Sequence, residues 1–322
     1  MAIPDIRHVA LIGAGNQGPK IAYRCAVSGL TASLYDIRPQ ALDTAFNLLG
    51  TWFEESTAAG RLTEAAAKEA RTRIIRADSL AEGLKGAHLV IEAVPENLDL
   101  KRGVFKEIER SAPAEALLAT NSSSLPSSKI ADVLTRPERL FNVNFSNPQH
   151  HDDFLVELMR GPHTSDETLL AGEKFVRSLN MVPIVTLKEI MGFSFNRTWR
   201  AVKKEVLHLV DAGYVSPEDL DRAWMMDFGS PWGPFGLMDI IGLDTVRDIE
   251  NQYYLDSGDE SDKPPRLLEV MIAGGRLGVK SGRGFYSYPN PDYKNPAWLR
   301  KEGPWSHDLP ARLAQRRNDD GK

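Results

Sequence analysis

A glycine-rich turn near the N-terminus follows an apolar segment, and an acidic residue stands a fixed distance beyond it. The glycines are Gly13, Gly15 and Gly18, directly after the apolar residues 9–12. Glycines at this spacing let the chain turn tightly, approach a pyrophosphate and pack a helix closely on a strand. Asp36 follows Gly13 by 23 residues, a distance at which a carboxylate can accept hydrogen bonds from the ribose diol of an adenosine. The pattern therefore predicts a dinucleotide site.

The charges of this segment favour NAD over NADP. Asp36 would repel a 2′-phosphate, although Arg38 nearby leaves NADP as the weaker alternative. The phosphates are expected at the N-terminus of the helix that begins at Gly18, because free N–H groups and the helix dipole attract anions there. We therefore assign Gly13, Gly15, Gly18 and Asp36 to NAD binding.

The composition of the chain excludes several classes of partner. Its 322 residues, 42% hydrophobic and 26% charged, are sufficient for two domains of an ordinary globular protein. A net charge of −5 gives no attraction for nucleic acid or an anionic membrane. The single cysteine, Cys25, excludes an internal disulfide, and the seven histidines show no metal-ligand spacing. No segment resembles a signal peptide or a membrane span, so we expect a cytosolic protein without a metal.

Strand and helix patterns alternate along the first part of the chain and stop near residue 188. Apolar runs predict further strands near residues 87–96, 117–120, 140–145, 154–159 and 182–185. A helical region is expected at 40–77, broken near Gly60 with Thr63 as an N-cap, and later helices at 193–212, 217–228, 234–251 and 267–273. We predict an α/β Rossmann domain with a doubly wound, mostly parallel sheet at 1–188, then an all-α domain at 189–322 with a peripheral tail.

Two polar features interrupt the apolar strands. The hydroxyl-rich loop 121–124 follows a predicted strand, and loops at that edge of a parallel sheet bind ligands, although Ser and Asn also serve there as helix caps. Glu157 lies inside the apolar run 154–159. A glutamate in such a run requires a partner, because burying it alone is costly.

Further motifs resemble the 3-hydroxyacyl-CoA dehydrogenase family over nearly the whole chain. They are V-P-E-N-L-x-x-K at 94–101, A-T-N-x-S-S-L at 119–125, G-F-x-x-N-R at 192–197, P-x-G-P-F-x-L-x-D at 231–239, G-L-D at 242–244 and G-x-K-x-G-x-G-F-Y at 278–286. The resemblance implies an NAD-dependent dehydrogenase that oxidises the secondary alcohol of a small-molecule 3-hydroxy acid or its CoA thioester. It also implies an active site in a cleft between the two domains, and a homodimer paired through the helical domains.

The same resemblance implies roles for individual residues. Glu96 and Lys101 would contact the ribose on the nicotinamide side of NAD. Ser123 and Asn196 would hydrogen-bond the substrate oxygen that is oxidised. Glu157 stands in the place of the carboxylate that orients the catalytic histidine in the family.

The catalytic histidine itself is replaced in this sequence. The family pattern H-F-F-N-P reads N-F-S-N-P here, with Asn144 first. An amide can donate and accept hydrogen bonds, but it cannot take up a proton near neutral pH. We therefore expect Asn144, Ser123, Glu157 and Asn196 to surround the reacting oxygen.

Three interpretations of this replacement stay open. In the first, the chain is an oxidoreductase in which His150, His151 or Glu157 takes the proton. In the second, Asn144 is an introduced substitution that traps a bound ligand. In the third, hydride transfer is lost and the protein binds NAD as a sensor or structural protein.

The size of the substrate is a further open question. Counting from Asp36 to the serine and lysine that reach the CoA in the family gives Trp52 and Ala59, and neither binds a phosphate by charge. Arg61 or Lys68 could compensate. The alternative is a smaller hydroxy acid, of the kind used by the gulonate and carnitine dehydrogenases of this superfamily.

Overall fold

The structure is a computed structural model, and it describes residues 5–146, 148–149 and 154–300. Backbone contacts divide the chain into two units, Met1–Arg197 and Thr198–Lys322. Across the described ranges, no helix combines the length and apolar character needed to cross a membrane.

The first unit is built on one eight-stranded sheet. Its strands are β1 His8–Ile12, β2 Thr31–Tyr35, β3 Ile74–Arg76, β4 Leu89–Glu92, β5 Leu117–Thr120, β6 Leu140–Phe145, β7 Leu155–Met159 and β8 Val182–Thr186. They lie in the order β3-β2-β1-β4-β5-β6-β7-β8, and each neighbouring pair is parallel except β6 with β7. From β1 the chain continues to β2 and β3 on one side and then returns to the other side of β1 at β4. This reversal opens a crevice at the carboxyl ends of β1 and β4. The predicted doubly wound, mostly parallel sheet is confirmed.

Helices cover both faces of this sheet. They are α1 Gly18–Val27, α2 Pro39–Ala58, α3 Glu64–Thr72, α4 Leu80–Leu84, α5 Leu98–Ser111, α6 Ser128–Ala131 and α7 Asp166–Ser178. Val9 and Leu11 of β1 belong to a core with α1, α2, α3 and α7, whereas Ala10 and Ile12 belong to a core with α4, α5 and α6. Successive residues of a strand point to opposite faces, so β1 contributes to both cores.

The second unit is helical in the part that the structure describes. Helix α8 Phe193–Asp211 leads into it and is followed by α9 Pro217–Phe228, α10 Pro234–Ile241, α11 Leu243–Ser257, α12 Arg266–Ala273 and α13 Pro296–Leu299. Its core contains Phe235, Met238, Leu243 and Leu268, all of them without solvent exposure. The predicted all-α second part is therefore confirmed.

Two helix predictions were wrong in detail. The region predicted as helical to residue 77 ends earlier, because Ile74–Arg76 pairs with β2 as an edge strand, and this tertiary pairing overrides the helical pattern. The predicted helix 234–251 is two helices, since Gly242 lies between them with φ +100°. The predicted N-cap is confirmed: the Thr63 side chain accepts a hydrogen bond from the N–H of Ala66.

Candidate active site

The glycine turn places the end of β1 against neighbouring strands. Gly13 has φ +116°, and its N–H donates to the carbonyl of Tyr35 at 2.8 Å. A Cβ on Gly13 would lie 2.6 Å from the carbonyl oxygen of Ala93, and a Cβ on Gly18 would overlap the carbonyl oxygen of Gly13. Any side chain at either position would therefore push the turn away from the sheet or the helix away from the turn.

Gly15 differs from the other two glycines, because a Cβ there would meet no atom within 4 Å. The space beside it belongs to a cavity of about 1120 Å³ that opens at the carboxyl ends of the strands. Gly15, Asp36, Glu96, Ser123 and Asn144 all line this cavity. Gly15, in the turn before α1, therefore leaves room for a pyrophosphate against the helix N-terminus, so the site fits NAD.

Asp36 is held at the edge of the glycine turn. Its Oδ2 accepts a hydrogen bond from the N–H of Ala14 at 2.9 Å, and its Oδ1 accepts one from the N–H of Arg38 at 2.9 Å. The Arg38 side chain is 69% exposed and reaches the same carboxylate only at 3.4 Å. The carboxylate therefore stands ready at the cavity wall as an acceptor for a ribose diol.

Glu96 ties the cavity wall to the hydroxyl-rich loop. Its Oε1 accepts hydrogen bonds from the hydroxyls of Ser122 and Ser124 and from the N–H of Leu125. Burial acts to raise the pKa of Glu96, but these hydrogen bonds and the nearby Lys101 ammonium outweigh it and hold the pKa below its usual range. Glu96 is thus an anion at neutral pH.

Lys101 lines the cavity, although its side chain is almost completely buried. Its Nζ lies 2.7 Å from Oε1 of Glu92, a residue without solvent exposure at the end of β4. We did not predict Glu92 as a site residue. It carried the same signal as Glu157, a carboxylate inside an apolar strand, and the same reasoning would have found it.

Asn144 and Glu157 face each other across the antiparallel strands β6 and β7. They are register partners, and Nδ2 of Asn144 lies 3.4 Å from Oε2 of Glu157. Glu157 is 3% exposed and also accepts from the N–H of Phe195 at 2.9 Å and from the hydroxyl of Ser194 at 3.3 Å. An ionised carboxylate only accepts hydrogen bonds, so the amide turns its NH₂ group to Glu157 and keeps Oδ1 for another partner.

The remaining site residues of the sequence analysis are placed as follows. Ser123 lines the cavity beside Asn121, whose Oδ1 accepts from the N–H of Phe145 at 3.1 Å. Asn196 lies in the first turn of α8 and, among the described residues, is not part of the cavity lining. His150 and His151 lie outside the described residues.

Comparison with known proteins identifies the family. The model of the 3-hydroxyacyl-CoA dehydrogenase NAD binding domain matches residues 8–190, and the model of its C-terminal domain matches residues 192–288. A probable 3-hydroxybutyryl-CoA dehydrogenase of Bacillus subtilis (strain 168) is 34% identical over 284 residues, which cover 88% of this chain and 98% of the relative.

Two further proteins extend this comparison. A 5-formyl-3-hydroxy-2-methylpyridine 4-carboxylate 5-dehydrogenase of Mesorhizobium japonicum is 32% identical over 287 residues, covering 88% of this chain and 91% of the relative. The crystal structure of (S)-3-hydroxybutyryl-CoA dehydrogenase PaaH1 from Ralstonia eutropha superposes with a TM-score of 0.82 at 35% identity, covering 89% of this chain and all of that one. The chain therefore belongs to the 3-hydroxyacyl-CoA dehydrogenase family and is an NAD-dependent oxidoreductase that acts on CH–OH groups.

Proposed function

We propose that this cavity binds NAD along the glycine turn and oxidises the secondary alcohol of a 3-hydroxyacyl substrate at its other end. The observation that supports this most directly is that Gly15, Asp36, Ser123 and Asn144 line one continuous cavity. NAD supplies the carbon that accepts the hydride. The residues at the Asn144 end bind and orient the alcohol.

The Asn144–Glu157 pair determines whether Asn144 can remove the hydroxyl proton of the substrate. With its NH₂ group on Glu157, Asn144 presents Oδ1 as an acceptor for the substrate O–H. It orients the alcohol but does not remove the proton. Ser123 is assigned a second hydrogen bond to the same oxygen, and Asn196 a third.

The absence of the family histidine is expected to have a kinetic cost. General base catalysis contributes roughly 10²–10⁴ in rate, so we expect turnover well below that of a variant carrying the family histidine. His150, His151 and Glu157 stay candidates for the group that takes the proton. Lys101 and Glu96 are assigned to the cofactor side of the cavity.

Trp52 in α2 and Ala59 directly after it bear on the substrate class. The Trp52 ring packs against Tyr23, with ring centroids 6.1 Å apart, and Ala59 directly follows the last residue of the helix. Neither position offers a cation to a CoA phosphate. The Mesorhizobium relative is named for a pyridine carboxylate, so a free hydroxy acid without CoA is the second candidate substrate class.

Oligomeric state, compartment and domain limits are part of the same proposal. The helical unit exposes Met226, Phe228, Ile240 and Ile249, which would be covered if two subunits pair through this unit. We propose a cytosolic homodimer with its domain boundary near residue 188. Light scattering on the purified protein at increasing concentration tests the dimer.

The substrate assay is a comparison of NADH formation from 3-hydroxybutyryl-CoA, free 3-hydroxybutyrate and a panel of larger hydroxy acids. We expect slow NADH formation with at least one class, and lower kcat for Glu157→Gln because the Asn144 amide loses its fixed orientation. Wild-type protein that binds NAD but forms no NADH with any of these alcohols would contradict the proposal.

A further inference from the structure

One fully buried carboxylate takes no part in the proposed reaction. Glu92 ends β4 and has no solvent exposure. Its Oε1 accepts from the Nζ of Lys101 and the N–H of Val94, each at 2.7 Å, and its Oε2 accepts from the hydroxyl of Thr120 at 2.7 Å. These donors come from α5, from the turn after β4 and from the end of β5, so Glu92 joins three segments that meet under the cavity.

The Lys101 ammonium has an acceptor for each of its three hydrogens. Besides Glu92 it lies 3.2 Å from Oε2 of Glu96 and 3.3 Å from the carbonyl oxygen of Val94. Its side chain is 1% exposed. An ammonium with this set of partners is fixed in place, because moving any one bond leaves a buried charge or polar group unsatisfied.

Glu96 connects Lys101 to the hydroxyl-rich loop at the cavity surface. One of its oxygens is bound by Lys101, and the other accepts from Ser122, Ser124 and Leu125. Ser123 stands between the two serines and lines the cavity. A continuous chain of hydrogen bonds and ion pairs thus runs from Glu92 through Lys101 and Glu96 to the loop that carries Ser123.

We propose that Glu92 is a positioning residue of the cofactor site: it anchors Lys101, and Lys101 fixes Glu96 and the serine loop against which NAD binds. The inference rests on the proposed use of this cavity for NAD. It predicts that Glu92 affects NAD affinity through Lys101 and by no other route.

A double-mutant cycle on NAD affinity tests this. Glu92→Gln keeps the shape of the side chain and one oxygen for Lys101 and Val94, but removes the charge. Lys101→Met keeps the alkyl stem and removes the ammonium. The dissociation constant of NAD is measured by calorimetry for the wild type, both single variants and the double variant, each checked for cooperative unfolding.

We expect each single variant to weaken NAD binding about tenfold, equivalent to losing one charge-assisted hydrogen bond. The double variant should be no weaker than Lys101→Met. Glu109→Gln is the matched control: Glu109 lies on the same helix and pairs with buried Arg139 at 3.2 Å, away from the cavity. It should lower the melting temperature without changing NAD affinity.

Two results would overturn the inference. The first is folded Glu92→Gln protein with wild-type NAD affinity. The second is a further tenfold loss when Glu92→Gln is added to Lys101→Met, and this comparison decides the question even where Glu92→Gln alone does not fold. Binding is measured without substrate, so a failure to oxidise any hydroxy acid would contradict the proposed function separately.

Discussion

Two buried carboxylates, Glu92 in the first unit and Asp221 in the second, are stabilised by different partners. In the first unit, Glu92 is paired with the Lys101 ammonium at 2.7 Å. In the second unit, Asp221 accepts from the N–H groups of Phe235 and Gly236 at 2.8 Å and from the hydroxyl of Tyr286 at 2.9 Å, all neutral donors. The carboxylate with a cation lies beneath the cavity, and the one with neutral donors lies inside a helical core.

Asp239 completes the contrast within the helical unit. It accepts from the N–H groups of Phe285 and Tyr286 at 2.9 Å and from the hydroxyl of Tyr288 at 3.0 Å. The motif that ends in Asp239 and the motif at 278–286 therefore bind each other. Their role in this chain is structural. These two motifs help to identify the family, but they are distinct from the residues assigned to the cofactor.

The largest loss of stability is expected at the close contact between Gly284 and Asp239. A Cβ on Gly284 would overlap the Asp239 carboxylate, so Gly284→Ala should destabilise the protein by about 3 kcal/mol. Gly15→Ala is the matched control, since its Cβ meets open space and should leave stability unchanged. Urea unfolding measures both, and equal stabilities of the two variants would contradict the structural assignment.

The neutral donors leave Asp221 sensitive to pH. Burial raises the pKa of Asp221 to about 6 from an ordinary value of 3.8. A carboxyl whose pKa is higher in the folded state contributes stability that is present below pH 3.8 and is lost as pH rises through 6. The loss is at most about 3 kcal/mol.

The difference in unfolding free energy between the wild type and Asp221→Asn, measured from pH 4 to pH 7, isolates this contribution. Relative to the variant, the wild type should lose stability across the interval, because asparagine does not titrate. A constant difference over the whole interval would show that burial of Asp221 does not favour its protonated form.

Removing the Lys101 ammonium should make Glu92 respond to pH as Asp221 does. Burial raises the pKa of Glu92 even with Lys101 present. In Lys101→Met the pKa of Glu92 rises further. The loss of unfolding free energy relative to the wild type should therefore grow with pH, from a small value near pH 5 to about 2 kcal/mol near pH 8. A destabilisation that is the same at both pH values would mean that Glu92 stays ionised without its partner.

The sequence predicted the parts of the site that depend on local spacing. The three glycines and Asp36 were found because a short turn and the end of the next strand must meet in a parallel sheet. Asn144 was found by its place in a motif. Glu92 could have been found as a carboxylate inside an apolar strand, but its pairing with Lys101 depends on how α5 packs beneath β4 and β5, which no local pattern contains.

The same limit explains one of the two errors in the fold. Residues 74–76 become a strand only because β2 offers an edge to pair with. No periodic pattern in the sequence predicts that β7 runs antiparallel to β6, yet this pairing brings Glu157 opposite Asn144. Tertiary pairing, rather than propensity, decides both.

The central claim, that Asn144 orients the alcohol without taking its proton, is tested most directly by the pH dependence of kcat for the wild type and Asn144→His. Histidine at this position can donate to Glu157 and accept the proton on its other nitrogen. We expect the variant to be about 100-fold faster at neutral pH, with a rate that rises with pH through about 6.5. Identical rates and identical pH profiles for the two proteins would contradict the account.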